Sequence, residues 1–260
     1  MSEETLGRTL LVATVVALGC ALMVSTAVYL LRPMQLVYAD LERNRIVVEA
    51  AGLVPPGSRL TDRAIVSLFV DLETRIVDLE TGRFTEDVDP RLYDQRAASN
   101  DPEMSVAIPE QLDLGRLGRR ARYAPVYLLT NGEQINRIVL PVHGQGMWST
   151  LYGYISLGSD FNTIVDISFY EHGETAGIGD RIQDPAWQAE WVGKRLYDDA
   201  GELRFTVVRN GAPPFQVDII SGASVTAEGV GNLVRYWLGE HGYAPFLARL
   251  RVSGSASVEG

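Results

Sequence analysis

With 260 residues the chain is longer than one small domain needs and short enough for one membrane anchor plus one globular body. Asp and Glu outnumber Lys and Arg by 33 to 23, a formal charge of -10 with no basic run, which argues against nucleic acid as a partner. The single cysteine, Cys20, excludes a disulfide framework or a thiolate cluster within the chain, and His143, His172 and His241 lack metal-ligand spacing, so any redox chemistry must come from a cofactor.

Residues 10–31 carry no charge. As a helix they would be about 33 Å long against a hydrocarbon core of about 30 Å, so a single-pass transmembrane helix is expected, preceded by a short tail over residues 1–9. The rival reading is a cleaved secretory signal, with Arg8 before the run and Ser25, Thr26 and Ala27 before a cleavage point. Signal cores are about 7 to 15 residues, whereas this run persists to Leu31 before Arg32 and Pro33 end it, which favours an anchor. Arg8 on one side and Arg32, Arg43 and Arg45 on the other leave the positive-inside rule undecided, and a long C-terminal body crosses largely regardless of its charge.

Residues 34–51 read as a helix leaving the membrane, stopped by Gly52, Pro55, Pro56 and Gly57, so residues 32–57 form a juxtamembrane helix and linker and 58–260 the body. Residues 59–79 fit a strand or a short helix, and 81–120, rich in Asp, Arg, Pro and Ser, show no periodic pattern. A hairpin follows, residues 124–129 and 135–142 around Asn131-Gly132, then strands over 151–157 and 163–170. Asp184-Pro185 opens a helix carrying Ala186, Trp187, Ala189, Trp191 and Val192, and residues 203–208 return to strand. In the last element, from Ser224, Val230, Leu233, Val234, Trp237 and Leu238 follow helical spacing until Gly239 and Gly242. The sum is an α+β body: a mainly antiparallel sheet with packed helices.

The chemistry concentrates in Asp218, Ser221, Gly222, Ala223, Ser224 and Thr226, a strand-to-helix turn of small, hydroxylated residues. The first N–H groups of a helix lack internal acceptors and sit at its positive end, so a phosphate is stabilised there. Gly222 permits close backbone approach, and the hydroxyls of Ser221, Ser224 and Thr226 can hydrogen-bond a phosphate or be esterified by one. The plain alternative is an ordinary Ser or Thr cap.

This string resembles the flavinylation motif of the FMN-binding domain shared by sodium-pumping quinone reductases and Rnf complexes: Asp, two residues, Ser-Gly-Ala, Ser or Thr, one residue, Ser or Thr. The resemblance places a covalent FMN phosphoester on Thr226, with Ser221, Gly222, Ala223 and Ser224 as partners in cofactor binding. His172 to Gly179 is similar to the family's Gly-Glu-Thr-Pro-Gly-Leu-Gly segment beside the flavin ring, which assigns Glu174, Thr175, Gly177, Ile178 and Gly179 to the cofactor. Ala176 stands where proline is usual, and Ile178 where leucine is. Standing alone this string is a Gly-rich connection.

Further strings, residues 140–148, 184–187, 191–194 and 237–247, resemble the C-subunit family of the bacterial sodium-translocating NADH:quinone oxidoreductases (the Nqr complex) more closely than its Rnf counterpart, with a core FMN-binding region over about 135–245. They place Trp148 near the flavin and make Lys194, read in the last turns of a helix, a candidate contact. His143, Trp187, Trp191 and Trp237 read as structural. The resemblance implies an electron-transfer component relaying electrons from an iron-sulfur centre toward a membrane flavin and quinone. It implies as partners the remaining components of the complex (A, B, D, E and F) and an FAD-dependent flavin transferase. It also implies a bacterial inner-membrane location with the body in the periplasm. An Rnf-type flavin carrier and a flavin-free membrane-anchored scaffold are the alternatives.

Overall fold

The computed structural model describes residues 3–55, 57–132 and 134–252; Pro56 of the expected linker, residues 1–2 of the expected tail and 253–260 of the expected body lie outside the described residues. Two compact units are present, Met1–Arg43 and Asn44–Gly260.

Helix α1 spans Glu3–Ala50. Its segment Gly7–Arg32 has a mean hydropathy of 2.3 and none of it is buried, so it is not the core helix of a globular unit but has the length and composition of a membrane span. Two expectations need correction. Residues 3–9 are helical rather than a tail, and the apolar run ends at Pro33 while the helix does not. A proline inside a helix removes one i to i−4 bond, which bends a helix more readily than it stops one with good formers on both sides. Within the span the Thr26 hydroxyl donates to the Leu22 carbonyl at 2.8 Å, so this polar group needs no outside partner.

The body begins at Asn44, not at residue 58. In the last turn of α1 and just after it, Val47, Val48, Ala50 and Ala51 are fully buried, in a cluster with Leu72, Tyr127, Val139 and Tyr154. The end of the expected juxtamembrane helix is therefore part of the core of the body. The uncertain stretch resolves into a helix and a strand: α2 (Asp62–Val70), with Thr61 as its cap, and β1 (Glu73–Asp78). The patternless stretch holds only short pieces, β2 (Arg83–Thr85), α3 (Gln95–Asn100), β3 (Ser105–Ala107) and β4 (Arg119–Ala121).

Four long strands follow: β5 (Tyr123–Asn131), β6 (Gln134–Gln145), β7 (Thr150–Gly158) and β8 (Ile164–Glu171). They complete an antiparallel six-stranded sheet in the order β2-β1-β5-β6-β7-β8. Alternation decides which face each side chain takes. Ala124, Val126, Leu128, Ile138, Leu140, Val142, Leu151, Ile155 and Leu157 enter the main core, while Tyr127, Val139 and Tyr154 face the smaller cluster that holds the end of α1.

The helix opened by Asp184 is α4 (Pro185–Ala189), one turn long; Trp191 and Val192 lie beyond it. Trp191 is fully buried 4.9 Å from Phe205, so its core role comes from ring packing and not from helical periodicity. Strands β9 (Thr206–Val208) and β10 (Gln216–Asp218) pair in parallel, and β10 leads into α5 (Ser224–Trp237). A further helix, α6 (Ala244–Val252), follows the Gly239 and Gly242 turn.

Helix α5 lies on the main-core face of β6. Val230, Leu233, Val234, Trp237 and Leu238, the residues set at helical spacing, are all fully buried. The Trp237 indole N–H donates to the His143 carbonyl at 2.7 Å and pins one end of the helix. Toward the other end, a Cβ on Gly229 would meet the Gln145 carbonyl oxygen at 2.7 Å. Gly229→Ala is therefore expected to destabilise the protein by about 1–3 kcal/mol through backbone overpacking, although alanine is ordinarily the better helix former by about 0.5–1 kcal/mol. Thermal unfolding of the full chain in detergent measures the sign.

Candidate functional site

Three segments meet at Thr226. The first is the start of α5. Its N-cap is Ala223, which offers no side-chain hydrogen bond, so the first-turn amides are left for an outside acceptor. Gly222 has φ +84°, with open space where a Cβ would stand. Ser221, Gly222 and Val225 are exposed and Ser224 is half-buried, whereas Thr226 is 1% exposed.

The second segment is the turn after β8. The Thr175 carbonyl accepts the amides of Ile178, Gly179 and Asp180 at 3.1, 2.9 and 3.3 Å, and Gly177 adopts φ +76°. With Ala176 in place of the usual proline the turn still closes, because backbone hydrogen bonds hold it. The third segment is the link from β6 to β7, Gly146 to Ser149. It is tied to the second by the Gly173 amide donating to Ser149 Oγ at 2.6 Å.

Glu174 joins all three. Its Oε2 accepts the Thr226 hydroxyl at 2.6 Å and the Met147 amide at 3.3 Å, and its Oε1 accepts the amides of Trp148 and Ser149 at 3.0 and 3.2 Å. Burial alone raises the Glu174 pKa, but the Thr226 hydroxyl and the three amides outweigh it and hold the carboxyl below the usual carboxylate range. Gly179 lets the turn close: a Cβ there would lie 2.9 Å from Glu174 Cβ and 3.0 Å from Thr226 Oγ1. Glu174 thus lies at the expected attachment point, its carboxylate turned inward.

The same segments present exposed apolar side chains, Met147, Trp148, Ile178 and Val225, each 48% to 66% exposed. Sequence reasoning found Trp148 and Ile178 but missed Met147 and Val225, although both lie inside the strings that carry the family resemblance. It also missed Arg181, whose Nη1 donates to the Ser221 carbonyl at 3.0 Å and brings a positive charge beside the start of α5. A cation following the Gly-rich turn was the available sign.

Lys194 is not brought to this site. It lies outside any helix, its carbonyl accepting the amide of Ile164 at the start of β8. The site lies past the other end of that strand, roughly 23 Å away along it. His143 is structural, stacked on Tyr152 at 5.4 Å and against Trp237 at 4.8 Å. Burial, aided by the Arg96 charge, lowers its pKa to about 4, so it stays neutral at ordinary pH.

The donor set fits a flavin phosphate: an uncapped helix start, hydroxyls at Ser221, Ser224 and Thr226, a nearby guanidinium and an apolar rim for a ring. One step is required. Thr226 Oγ1 faces Glu174 and Gly179, so a phosphate on that oxygen needs the Glu174 to Gly179 turn to shift.

The FMN-binding domain family matches residues 146–239, a span that contains all three segments. The chain is 40% identical over 257 residues to the C-subunit of the Na(+)-translocating NADH-quinone reductase of Pseudomonas aeruginosa, covering 96% of this chain and 98% of that one. It is 39% identical to the corresponding protein of Vibrio anguillarum, covering 97% and 98%. The chain belongs to the NqrC family, the C-subunits of the Na+-translocating NADH-quinone reductases. Among solved members, Shewanella oneidensis NqrC superposes with a TM-score of 0.72 at 33% identity, over 82% of this chain and 98% of its own. The Parabacteroides distasonis member gives 0.64 at 26%, over 84% and 96%. The α+β fold is thus that of the NqrC family.

A depressed carboxyl pKa stabilises the fold above the unfolded pKa, and that contribution is lost as pH falls through the folded value. In flavin-free protein, Thr226→Val removes the hydroxyl donor and raises the Glu174 pKa toward its unfolded value. The variant is expected to be less stable by about 1–2 kcal/mol at neutral pH. The gap should close as the pH drops below the carboxylate range, read from unfolding temperatures across a pH series.

Proposed function

We propose that this chain is the FMN-carrying electron-transfer component of a Na+-translocating NADH:quinone reductase, with the flavin phosphate esterified to Thr226. The observation that carries the attachment is the Thr226 hydroxyl, held in the first turn of an uncapped helix by a buried carboxylate. When bound, FMN supplies the reversible electron uptake and release that no side chain of this protein offers. The residues of the chain do the rest. The α5 amides and helix dipole stabilise the anionic phosphate, Arg181 adds positive charge, and Met147, Trp148, Ile178 and Val225 give the ring apolar cover that excludes water.

Helix α1 holds the body at the bacterial inner membrane, with the body on the periplasmic side. There it has no access to the cytoplasmic FMN pool, and a covalent link keeps the site filled. An FAD-dependent transferase installs the flavin. Electrons arrive from an iron-sulfur centre and leave toward a flavin in a membrane-embedded partner and then quinone, within an assembly completed by the A, B, D, E and F components. Sodium movement belongs to those partners, since one uncharged span with Ser25 and Thr26 among its few polar groups lines no ion path.

Co-production with a flavin transferase, followed by intact mass and in-gel fluorescence of the denatured protein, tests the attachment. The expected outcome is a mass gain of FMN less water with yellow fluorescence, both lost in Thr226→Val. No added mass beside an active transferase sinks the assignment and favours a flavin-free scaffold.

A further inference from the structure

An aliphatic hydroxyl is a poor nucleophile until something takes its proton. Thr226 has a single hydroxyl proton, and it is already committed to Glu174 Oε2 at 2.6 Å. The carboxylate is held in place by three backbone amides from residues 147–149. Other charged or titratable groups near this junction are His172 and Asp180 on the same segment, Arg181 beyond it and Glu228 on α5; none of them hydrogen-bonds the Glu174 carboxylate. His172 Nδ1 is engaged with the Glu174 amide at 3.3 Å.

Resting on the attachment at Thr226, we infer that Glu174 is the proton acceptor of the attachment reaction, so that this chain supplies the base for its own modification. Thr226 Oγ1 attacks the phosphorus nearer the flavin in a flavin dinucleotide presented by the transferase. The Oγ1–P bond forms and the P–O bond of the pyrophosphate breaks, its electron pair leaving with the adenylate. The threonine proton passes to Glu174 and from there to solvent, and nothing is oxidised or reduced.

Phosphoryl transfer places little charge on the attacking oxygen until late, so the carboxylate first orients the hydroxyl and then takes the proton. This is the role an aspartate plays toward the substrate hydroxyl in protein kinases. Gly179 packs over this pair, a Cβ there lying 3.0 Å from Thr226 Oγ1, so admitting the phosphorus requires the Gly179 end of the turn to move aside. Burial of Thr226 in the unmodified protein thus keeps the hydroxyl aligned with its base until the transferase arrives.

The test uses the full chain in detergent with purified transferase and FAD, initial rates of flavin attachment being read by intact mass and in-gel fluorescence. Glu174→Gln keeps the shape and removes the base; Glu174→Asp keeps a carboxylate at the cost of reach. Proton acceptance predicts that the Gln variant is slowed roughly 10²-fold and that the Asp variant is the faster of the two. A purely structural role predicts the reverse, since Gln is the closer fit, and that order, or a Gln variant at the wild-type rate, overturns the inference.

Unfolding temperatures accompany the rates. If the Gln variant does not unfold cooperatively, Glu174→Ala with added formate replaces it: recovery of rate with formate supports the base, and no recovery overturns it. Wild-type chain that takes up no flavin, or takes it up on a residue other than Thr226, removes the attachment reading itself, a failure distinct from wild-type modification that is indifferent to Glu174.

Discussion

The hydrogen bond between Thr226 and Glu174 is the contact on which the site depends. A carboxylate removed from water is costly unless its oxygens are satisfied, and here one hydroxyl and three amides satisfy them. Because the four donors come from the β6–β7 link and from α5, while the acceptor comes from the turn after β8, the charge cannot be stabilised unless all three segments are in register. The bond therefore assembles the site as well as aiming the hydroxyl.

The fold makes that register possible. The four long strands fix where the β6–β7 link and the end of β8 emerge, and α5 is laid against β6 closely enough that Gly229 touches the Gln145 carbonyl region. Trp237 anchors the far end of the same helix on His143, so the helix start is positioned by packing at two points along its length. A relay needs a cofactor at a fixed distance from donor and acceptor centres. A helix start braced in this way supplies it, with no substrate pocket required.

The arrangement also separates tasks along the chain. The exposed apolar residues at the site come from its three converging segments, while the other buried cluster of the body holds the end of α1. The span has the length and composition to cross a membrane, its charged groups lying outside the apolar run. The acidic body, the lone Cys20 in the span and the unpaired histidine spacing all agree with a protein that carries a redox group without building one from its side chains.

Local patterns were legible in the sequence because they obey a short period or a fixed motif. The uncharged run, the alternating strands β5 to β8, the α5 stripe from Val230 to Leu238 and the motif ending at Thr226 each depend on residues a few positions apart. Only the tertiary structure decided what depends on distant neighbours. Glu174 and Thr226 are separated by 52 positions, so no spacing rule reveals that the acid faces the hydroxyl. Lys194 lies at the end of β8 away from the Thr226 site, and α4 ends after one turn with Trp191 beyond it, packed on Phe205. Val47 to Ala51 read as part of a helix leaving the membrane and are also core, since the partners that bury them, Leu72, Tyr127, Val139 and Tyr154, lie far along the chain. A sequence states which residues can make a contact; the balance of burial and hydrogen bonding across the folded chain selects the ones that do.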